Sequence, residues 1–339
     1  MSSTDHGMKE IVMRAIRQYA FGPAENLLYE EVEDPSPGPG QVRIAVRAAG
    51  VHLMDTSIRA GSAGELPFPL PDLPMTPGRE VAGVVDAVGD GVEESWLGRR
   101  VVAHLGLAGG GYAELAVREV EAVHALPDDL ADDVAVAMIG TGRTTVGILD
   151  VGRIVPDDVV LVTAAAGGIG NLLVQAARDV GATVVGVAGG PAKVERVRRL
   201  GATIAVDYDT PDWDGRVRGA LNGREVTVAF DGVGGTPGRT ALELLGVGGR
   251  FVMFGWSAGK PTELSTGDLY ARCLTVSVAL GPRILKVPGG LRGLEERSLA
   301  EAASGRLVPE VQRFALADAA AAHTALETRA TVGKVVLTP

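Results

Sequence analysis

The chain has 339 residues, of which 46% are hydrophobic and 22% are charged. These fractions are typical of globular proteins and exclude a chain that is disordered throughout. The net charge of −10 argues against a general nucleic-acid-binding protein, because such proteins need clustered lysine and arginine to displace counterions. The chain has one cysteine, Cys273, so neither an intrachain disulfide nor a cysteine-rich zinc site can form. We expect Cys273 to be a buried small apolar residue.

The first part of the chain is predicted to form a β-rich domain. Residues 1 to about 12 are polar, lack the apolar core of a signal peptide and are expected to be disordered. The strands that follow include Gln41–Ala48, Val81–Val88 and Arg100–His104, with loops rich in Pro and Gly between them. The longest uncharged stretch, residues 159–177, holds three glycines and is predicted to be a strand, a turn and a helix start rather than a membrane span. We therefore expect a cytoplasmic protein with no membrane partner.

From about residue 131 the pattern changes to strands that alternate with helix-length segments. The predicted strands are Val159–Thr163, Thr183–Val187, Ile204–Val206, Thr227–Phe230 and Arg250–Phe254. The predicted helices between them are 170–180, 193–200 and 238–245, and a later one covers about 291–304. Continuous apolar strands that alternate with helices indicate an α/β domain with a doubly wound parallel sheet. We place the β-rich domain at 1–130, the doubly wound domain at 131–280, and a return to the first domain at 281–339.

A glycine-rich turn follows the first of these strands. Ala164, Gly167 and Gly170 form the pattern A-x-x-G-x-x-G between the strand and the next helix. Small residues at this point let the backbone approach a pyrophosphate, and the helix N-terminus offers free N–H groups and a partial positive charge. The same pattern is found in ordinary strand–helix turns. Here further strand–helix units follow, so the sequence predicts a dinucleotide-binding site.

The end of the second strand bears on the choice of cofactor. A site that prefers NAD usually places an Asp or Glu there, and this strand ends instead in Ala188-Gly189-Gly190. The missing carboxylate leaves room for a 2′-phosphate, with which Lys193 can pair. The alternative is that Lys193 belongs to a solvated helix face, as we expect for Arg196, Arg198 and Arg199. The sequence therefore favours NADPH.

The chain resembles the medium-chain dehydrogenase/reductase superfamily, in its zinc-free quinone oxidoreductase branch, from about Arg14 to Pro339. The resemblance depends on the order and spacing of several segments rather than on any one of them. These segments are 48–51 with Asp55, 58–61, 77–85, 110–114, 162–170, 201–202, 207–208, 230–235, 249–255 and 329–334. The resemblance implies a GroES-like β-rich catalytic domain beside a Rossmann domain, with the active site in the cleft between them.

The resemblance also assigns roles to individual residues. It implies that Thr144, Phe254 and Trp256 contact the cofactor near the nicotinamide, and that Gly167, Gly168 and Ile169 contact the pyrophosphate. At the adenosine end it implies contacts from Gly189, Lys193 and Tyr208. The tail motif, with Arg329 and Lys334, is implied to contact the cofactor as well. Zinc-containing relatives use a Cys and a Gly-His-Glu pair, whereas this chain has Gly78-Arg79-Glu80 and a first domain without Cys. No metal site is predicted, which favours hydride transfer to an already activated acceptor.

The candidate catalytic residues are His52 and Asp55. His52 stands where the family usually has Asn, and it is either a proton donor after hydride addition or a neutral residue that lines the pocket. Asp55 is either a substrate- or water-orienting group or a structural acceptor, and Glu80 is expected to pair with Arg79. One tyrosine common in the family is replaced by Ser57, and another is absent from the segment Thr144-Thr-Val-Gly147, which removes aromatic surface from the pocket.

The leading hypothesis is an NADPH-dependent oxidoreductase that reduces a quinone or an α,β-unsaturated carbonyl compound without zinc. An enoyl-thioester reductase of the polyketide type, an alcohol dehydrogenase and a cofactor-binding protein with little turnover are the alternatives. The expected partner is a small electrophile, with no nucleic acid. The apolar segment Leu274–Leu280 is predicted to be an edge strand, and with the family resemblance it leads us to expect a homodimer.

Overall fold

The structure, a computed structural model, describes residues 12–62 and 69–339, so the predicted leader lies almost wholly outside the described residues. The chain divides into two compact units. The first consists of Met1–Val136, Arg313–Ala330 and Val336–Pro339, and the second of Ala137–Gln312 and Thr331–Val335.

The first unit is built on antiparallel strands. Its strands are β1 (Val12–Arg17), β2 (Leu28–Glu33), β3 (Gln41–Val51), β4 (Glu80–Val88), β5 (Arg100–His104), β6 (Leu115–Glu119) and β7 (Val123–Ala125), together with β14 (Val311–Ala315) and β15 (Lys334–Thr338), which begin in the second unit's residues. Strands β1 and β2 pair with each other, and the large sheet runs β14-β15-β3-β4-β5-β7, with β6 against β3. Along β3, Val42, Ile44 and Val46 are buried and their neighbours less so, the alternation expected of a strand with one core-facing side.

Three α-helices of the described residues complete this unit. They are α1 (Leu53–Ala60), α2 (Asp132–Ala137), which runs one residue into the second unit, and α10 (Ala319–Glu327). Single turns of 3₁₀ helix occur at Ala24–Asn26, Glu94–Trp96, Val120–Ala122 and Leu316–Asp318. Helix α1 follows directly after β3, and α10 packs against it. This pairing brings side chains from distant parts of the sequence together behind α1.

The second unit is a doubly wound parallel sheet. Its strands are β8 (Val159–Val162), β9 (Thr183–Ala188), β10 (Ile204–Asp207), β11 (Val226–Asp231), β12 (Leu245–Met253) and β13 (Thr275–Val278). They run in the order β10-β9-β8-β11-β12-β13, and each neighbouring pair is parallel. Val160 and Val162 belong to one apolar cluster, and Val159 and Leu161 belong to the other. The sheet is therefore covered on both faces, which explains why its strands are apolar throughout.

Helices connect these strands and close the unit. They are α3 (Arg143–Gly152), α4 (Gly168–Val180), α5 (Pro191–Arg199), α6 (Trp213–Leu221), α7 (Gly235–Glu243), α8 (Thr266–Arg272) and α9 (Gly290–Ala303), with a 3₁₀ segment at Gly281–Lys286. A π-helical segment, Met138–Gly142, joins α2 to α3. The resulting helix, Asp132–Gly152, is long and apolar enough to span a membrane, but 67% of its apolar window is buried inside the fold, as in a core helix.

Two features differ from the sequence predictions. Residues 281–312 belong to the second unit, whereas the sequence placed all of 281–339 with the first. The reason is helix α9, which packs on α3: Glu295 accepts a hydrogen bond from Arg143 at 2.8 Å, and Ser298 donates to the carbonyl of Met138 at 2.7 Å. Cys273 is exposed rather than buried, because it ends α8 in a left-handed conformation (φ 51°) and Leu274 takes the buried position.

Candidate functional site

The N-terminus of α4 forms a cradle of backbone N–H groups. Gly167 precedes the helix in an extended conformation and contributes no side-chain cap, so the first helical amides have no acceptor within the helix. The turn before it is tight: a Cβ on Gly170 would lie 2.2 Å from the carbonyl oxygen of Ala164, so this position admits only glycine. Helix α4 follows β8, and the strand order reverses between β8 and β11, the point at which open α/β sheets bind their ligands.

The tail of the chain closes on this turn. Gly333 forms a bridge with Gly167, and its amide donates to the carbonyl of Ala166 at 2.8 Å. The next residue, Lys334, is buried, and its amide donates to the carbonyl of Glu310 at 2.7 Å. Arg329, the other tail residue expected at the cofactor, is exposed after α10 in the first unit. Lys334 therefore directly follows the residue that pairs with Gly167 at the start of α4.

The carboxyl end of β9 meets a turn from β10. The amide of Tyr208 donates to the carbonyl of Ala188 at 3.3 Å, and the amide of Gly190 donates to the carboxylate of Asp207 at 3.0 Å. A Cβ on Gly189 would lie 2.4 Å from an oxygen of Asp209. Lys193 follows in the first turn of α5 and is partly buried. The turn with Tyr208 and Asp209 therefore lies against the end of β9, where it places a carboxylate that has no signal in the sequence of β9.

The remaining cofactor candidates lie after β12 and at the start of α3. Phe254 packs on Gly232, where an added Cβ would lie 2.3 Å from its ring, and its amide donates to the carbonyl of Asp231 at 2.8 Å. Trp256 is 48% exposed, and its Cβ would lie 2.9 Å from a Cβ added to Gly234. Thr144 is partly buried in the first turn of α3, directly after the π-helical segment. A π turn inside a helix is frequent at functional sites.

In the first unit, His52 faces a fully buried carboxylate. His52 precedes α1, and its Nε2 lies 2.6 Å from Oε1 of Glu80 at the start of β4. The Glu80 side chain is 0% exposed and the His52 side chain 23%, so solvent or a ligand can reach the pair only through the imidazole. The Arg79 guanidinium, expected beside Glu80, lies next to Asp55, with its Nε 3.3 Å from Oδ1.

Asp55 joins the start of α1 to Tyr112 and Arg79. Its Oδ2 accepts hydrogen bonds from the amide of His52 at 2.8 Å and from the hydroxyl of Tyr112 at 3.2 Å. Burial by itself would raise the pKa of Asp55, but the Arg79 guanidinium and the imidazole and amide of His52 outweigh it and leave that pKa lowered. Asp55 is therefore an ionised acceptor that fixes the start of α1. Its hydrogen bonds to His52, Tyr112 and Arg79 are typical of a structural residue.

Tyr112 links Asp55 to a buried histidine from α10. Its hydroxyl lies 3.2 Å from Nε2 of His323, and the two rings meet edge to face. Burial, and then the Asp55 carboxylate, raise the pKa of Tyr112 well above its usual value, so the hydroxyl stays protonated and donates to Asp55. Nε2 of His323 then carries a hydrogen towards Tyr112, and Nδ1 is buried with no hydrogen-bond partner among the described residues. Burial lowers the pKa of His323 to about 4.

A cavity of about 590 Å³ in the first unit lies beside this cluster. Asp55 and Arg79 line one wall, while Ile58, Leu70 and Leu107 supply apolar surface. A volume of this size admits a small organic molecule. Residues 12–62 and 69–339 contain no group of three His, Cys, Asp or Glu side chains that could hold a metal ion. At the position of the family's zinc-ligating histidine stands Arg79.

Comparisons with known proteins agree with both halves of this arrangement. Residues 38–128 match the alcohol dehydrogenase GroES-like domain, and residues 168–294 match the zinc-binding dehydrogenase domain. The chain is 33% identical over 329 residues to a quinone oxidoreductase of Pseudomonas aeruginosa, covering 96% of this chain and 99% of that protein. It is 34% identical over 345 residues to a 2-haloacrylate reductase of Burkholderia, covering 97% and 99%.

A solved structure is similar over the same length. The quinone oxidoreductase of Escherichia coli, complexed with NADPH, has 30% sequence identity and a TM-score of 0.84, and the match covers 96% of this chain and 100% of that one. The chain belongs to the medium-chain dehydrogenase/reductase superfamily, in the branch of the quinone oxidoreductases. The predicted fold class, a Rossmann domain with a GroES-like β-rich domain, is confirmed.

Several residues of the site could not be identified from the sequence alone. Tyr112 was visible only as part of the motif Gly110-Gly111-Tyr112-Ala113-Glu114, with no assigned role. His323 was one of five scattered histidines, and its position 211 residues after Tyr112 gives no local signal that they meet. Asp209 follows the predicted Tyr208 directly, but only the pairing of β9 with β10 shows that its carboxylate reaches Gly189.

Proposed function

We propose that the chain is an NADPH-dependent reductase that transfers hydride to a quinone or an α,β-unsaturated carbonyl compound without a metal ion. The observation that carries the proposal is the N-terminus of α4, with its free amides and glycine turn at the switch point of a parallel sheet. Relatives named quinone oxidoreductase and 2-haloacrylate reductase, and a similar structure in complex with NADPH, support the reaction class and the cofactor.

The cofactor-binding residues of the second unit divide by position along the sheet edge. The amides of Gly168 and Ile169, presented after Gly167, bind the pyrophosphate. Gly189, Lys193 and Tyr208 bind the adenosine end, because the end of β9 is where dinucleotide folds hold the adenosine ribose. The nicotinamide end is bounded by Thr144, Phe254 and Trp256. Arg329 and Lys334 remain proposed contributors from the tail.

Bound NADPH supplies a hydride from C4 of its nicotinamide ring. With an enone as acceptor, the hydride forms a bond to the β-carbon, the alkene π bond breaks, and the resulting enolate takes up one proton. We assign that proton to His52 or to water that exchanges protons with it. Glu80 lies 2.6 Å from Nε2 of His52 and is fully buried, so it orients the imidazole. Asp55 is a positioning residue that holds the first turn of α1 on which His52 stands.

The test is cofactor consumption by purified protein treated with a chelator, against a small quinone, a simple enone and an enoyl-CoA. We expect NADPH oxidation with the quinone or the enone at a rate that the chelator leaves unchanged. Faster turnover of the enoyl-CoA would favour an enoyl-thioester reductase. NADPH binding without turnover of any acceptor would contradict the proposal and support a cofactor-binding protein. Loss of activity on chelation, restored by zinc, would support a metal-dependent dehydrogenase.

We also propose that the protein is a cytoplasmic homodimer that pairs through β13. This strand lies at the edge of the parallel sheet, and Val278 on it is 54% exposed. An exposed, apolar strand edge favours pairing with a second copy. Light scattering after size exclusion should give twice the chain mass, and Val278→Lys should give the monomer. A wild-type monomer would contradict this part of the proposal.

A further inference from the structure

The carboxylate of Asp209 lies at the position where the adenosine ribose of the cofactor is expected. By sequence alone the end of β9 leaves room for a 2′-phosphate, because it has no acidic residue of its own. In the structure the neighbouring strand supplies one. An ideal Cβ on Gly189 would lie 2.4 Å from Oδ2 of Asp209 and 3.4 Å from its Oδ1, so the carboxylate covers this glycine.

The turn that carries Asp209 is held firmly against β9. The amides of Gly190 and Asp209 both donate to Oδ1 of Asp207 at 3.0 Å, and the Thr210 hydroxyl donates to the carbonyl of Asp207 at 2.7 Å. The amide of Tyr208 donates to the carbonyl of Ala188 at 3.3 Å. Asp207 therefore has a structural role within the turn. Asp209 is exposed, and its carboxylate is presented to whatever occupies the end of β9.

The chemistry of a carboxylate at this point is opposite to that of a lysine. An acidic side chain accepts hydrogen bonds from the hydroxyls of an unphosphorylated ribose, as in NAD-binding sites. A phosphate monoester carries a charge of about −1.5 to −2 near pH 7. A carboxylate about 5 Å from such a charge, in surroundings close to water, weakens binding by a factor on the order of ten. The positive charge of Lys193 has the opposite effect and favours binding of the 2′-phosphate.

We propose that Asp209 is a specificity-determining residue of the cofactor site, which lowers the preference for NADPH and lets the protein use NADH as well. The inference rests on the proposed function, since it presumes that the adenosine end of the cofactor binds beside Gly189. The sequence favours NADPH, and the position of Asp209 adds the expectation that NADH also serves as a cofactor.

The experiment measures binding of two ligands without a nicotinamide ring, ADP-ribose and 2′-phospho-ADP-ribose, by titration calorimetry. The variant is Asp209→Asn, which removes the charge and keeps the shape. The matched control is Asp157→Asn, an exposed acid just before β8, at the amino-terminal end of the strands, whereas Asp209 lies at their carboxyl-terminal end. We expect Asp209→Asn to bind the phosphorylated ligand about tenfold more tightly and ADP-ribose a few-fold more weakly. The control should leave the ratio of the two dissociation constants unchanged.

The outcomes separate this inference from the proposed function. If the wild type binds both ligands and Asp209→Asn leaves their ratio within about twofold, or weakens both equally, the inference is wrong and the cofactor site stands. A ratio that shifts equally in the Asp157 variant also overturns it, because net charge would then be the cause. If the wild type binds neither ligand, the cofactor site itself is wrong and the inference fails with it. The NADPH-to-NADH ratio of kcat/KM should rise in Asp209→Asn along with the binding ratio.

Discussion

The buried His323 should make the stability of the protein depend on pH in a defined window. Its folded-state pKa of about 4 lies below the value of 6.5 for a free histidine. As the pH falls through 6.5, His323 binds a proton in the unfolded chain but not in the folded protein. The free energy of unfolding therefore falls until the pH reaches about 4. Integrated from pH 7.5 to pH 5, this one group removes about 2 kcal/mol of stability. The loss over the whole window is about 3 kcal/mol.

The assay is urea-induced unfolding of the wild type and of His323→Gln at pH 7.5 and pH 5. Glutamine keeps a donor for the Tyr112 hydroxyl and has no titrating group. We expect the variant to lose about 2 kcal/mol less than the wild type between the two pH values, whatever its stability at pH 7.5. Equal losses, within about 0.5 kcal/mol, would refute the reasoning. Proton NMR provides a second test, since the ring signals of His323 should not titrate above pH 5.

Two further predictions concern the site and the turn at α4. His52→Gln should lower kcat by about tenfold or more, because His52 supplies a proton. The dissociation constant of NADPH should stay within about twofold, because His52 is not part of the backbone cradle at α4. An unchanged kcat in stopped-flow assays would assign the proton to water alone. Gly170→Ala should lower the free energy of unfolding by about 1–3 kcal/mol, since its Cβ would lie 2.2 Å from a carbonyl oxygen. The matched Gly219→Ala, an open position on α6, should raise it by about 0.5–1 kcal/mol, and equal effects in thermal melts would contradict the packing argument.

Much of the second unit could be predicted from the sequence because its signals are local. Apolar strands, the glycine turn at 164–170 and the alternation with helices lie within short windows, and the strands appear within one or two residues of their predicted bounds. Strand β12 is the exception. It begins at Leu245 rather than Arg250, because Leu245 pairs with Val226 across an irregular register that the sequence does not reveal.

The charged cluster of the first unit could not be predicted, because it forms between distant segments. Asp55, Tyr112 and His323 come from a helix, a loop and a second helix, and none of them has a neighbour in sequence that signals the contact. The pairing of His52 with Glu80 depends on β3 lying beside β4. Asp209 likewise acquires its place only when β10 pairs with β9. Residue types and family resemblance indicated the chemistry, and the sheet pairings determined which side chains share a site.

The proposed reaction is metal-independent hydride transfer from NADPH to an activated double bond or quinone. The decisive measurement uses chelator-treated protein, NADPH with deuterium at both C4 positions and a simple enone, followed by mass spectrometry and NMR of the product. We expect a saturated ketone with one deuterium on the β-carbon, formed at the same rate with and without added zinc. A product without deuterium, or a reaction that proceeds only when zinc is restored, would contradict it.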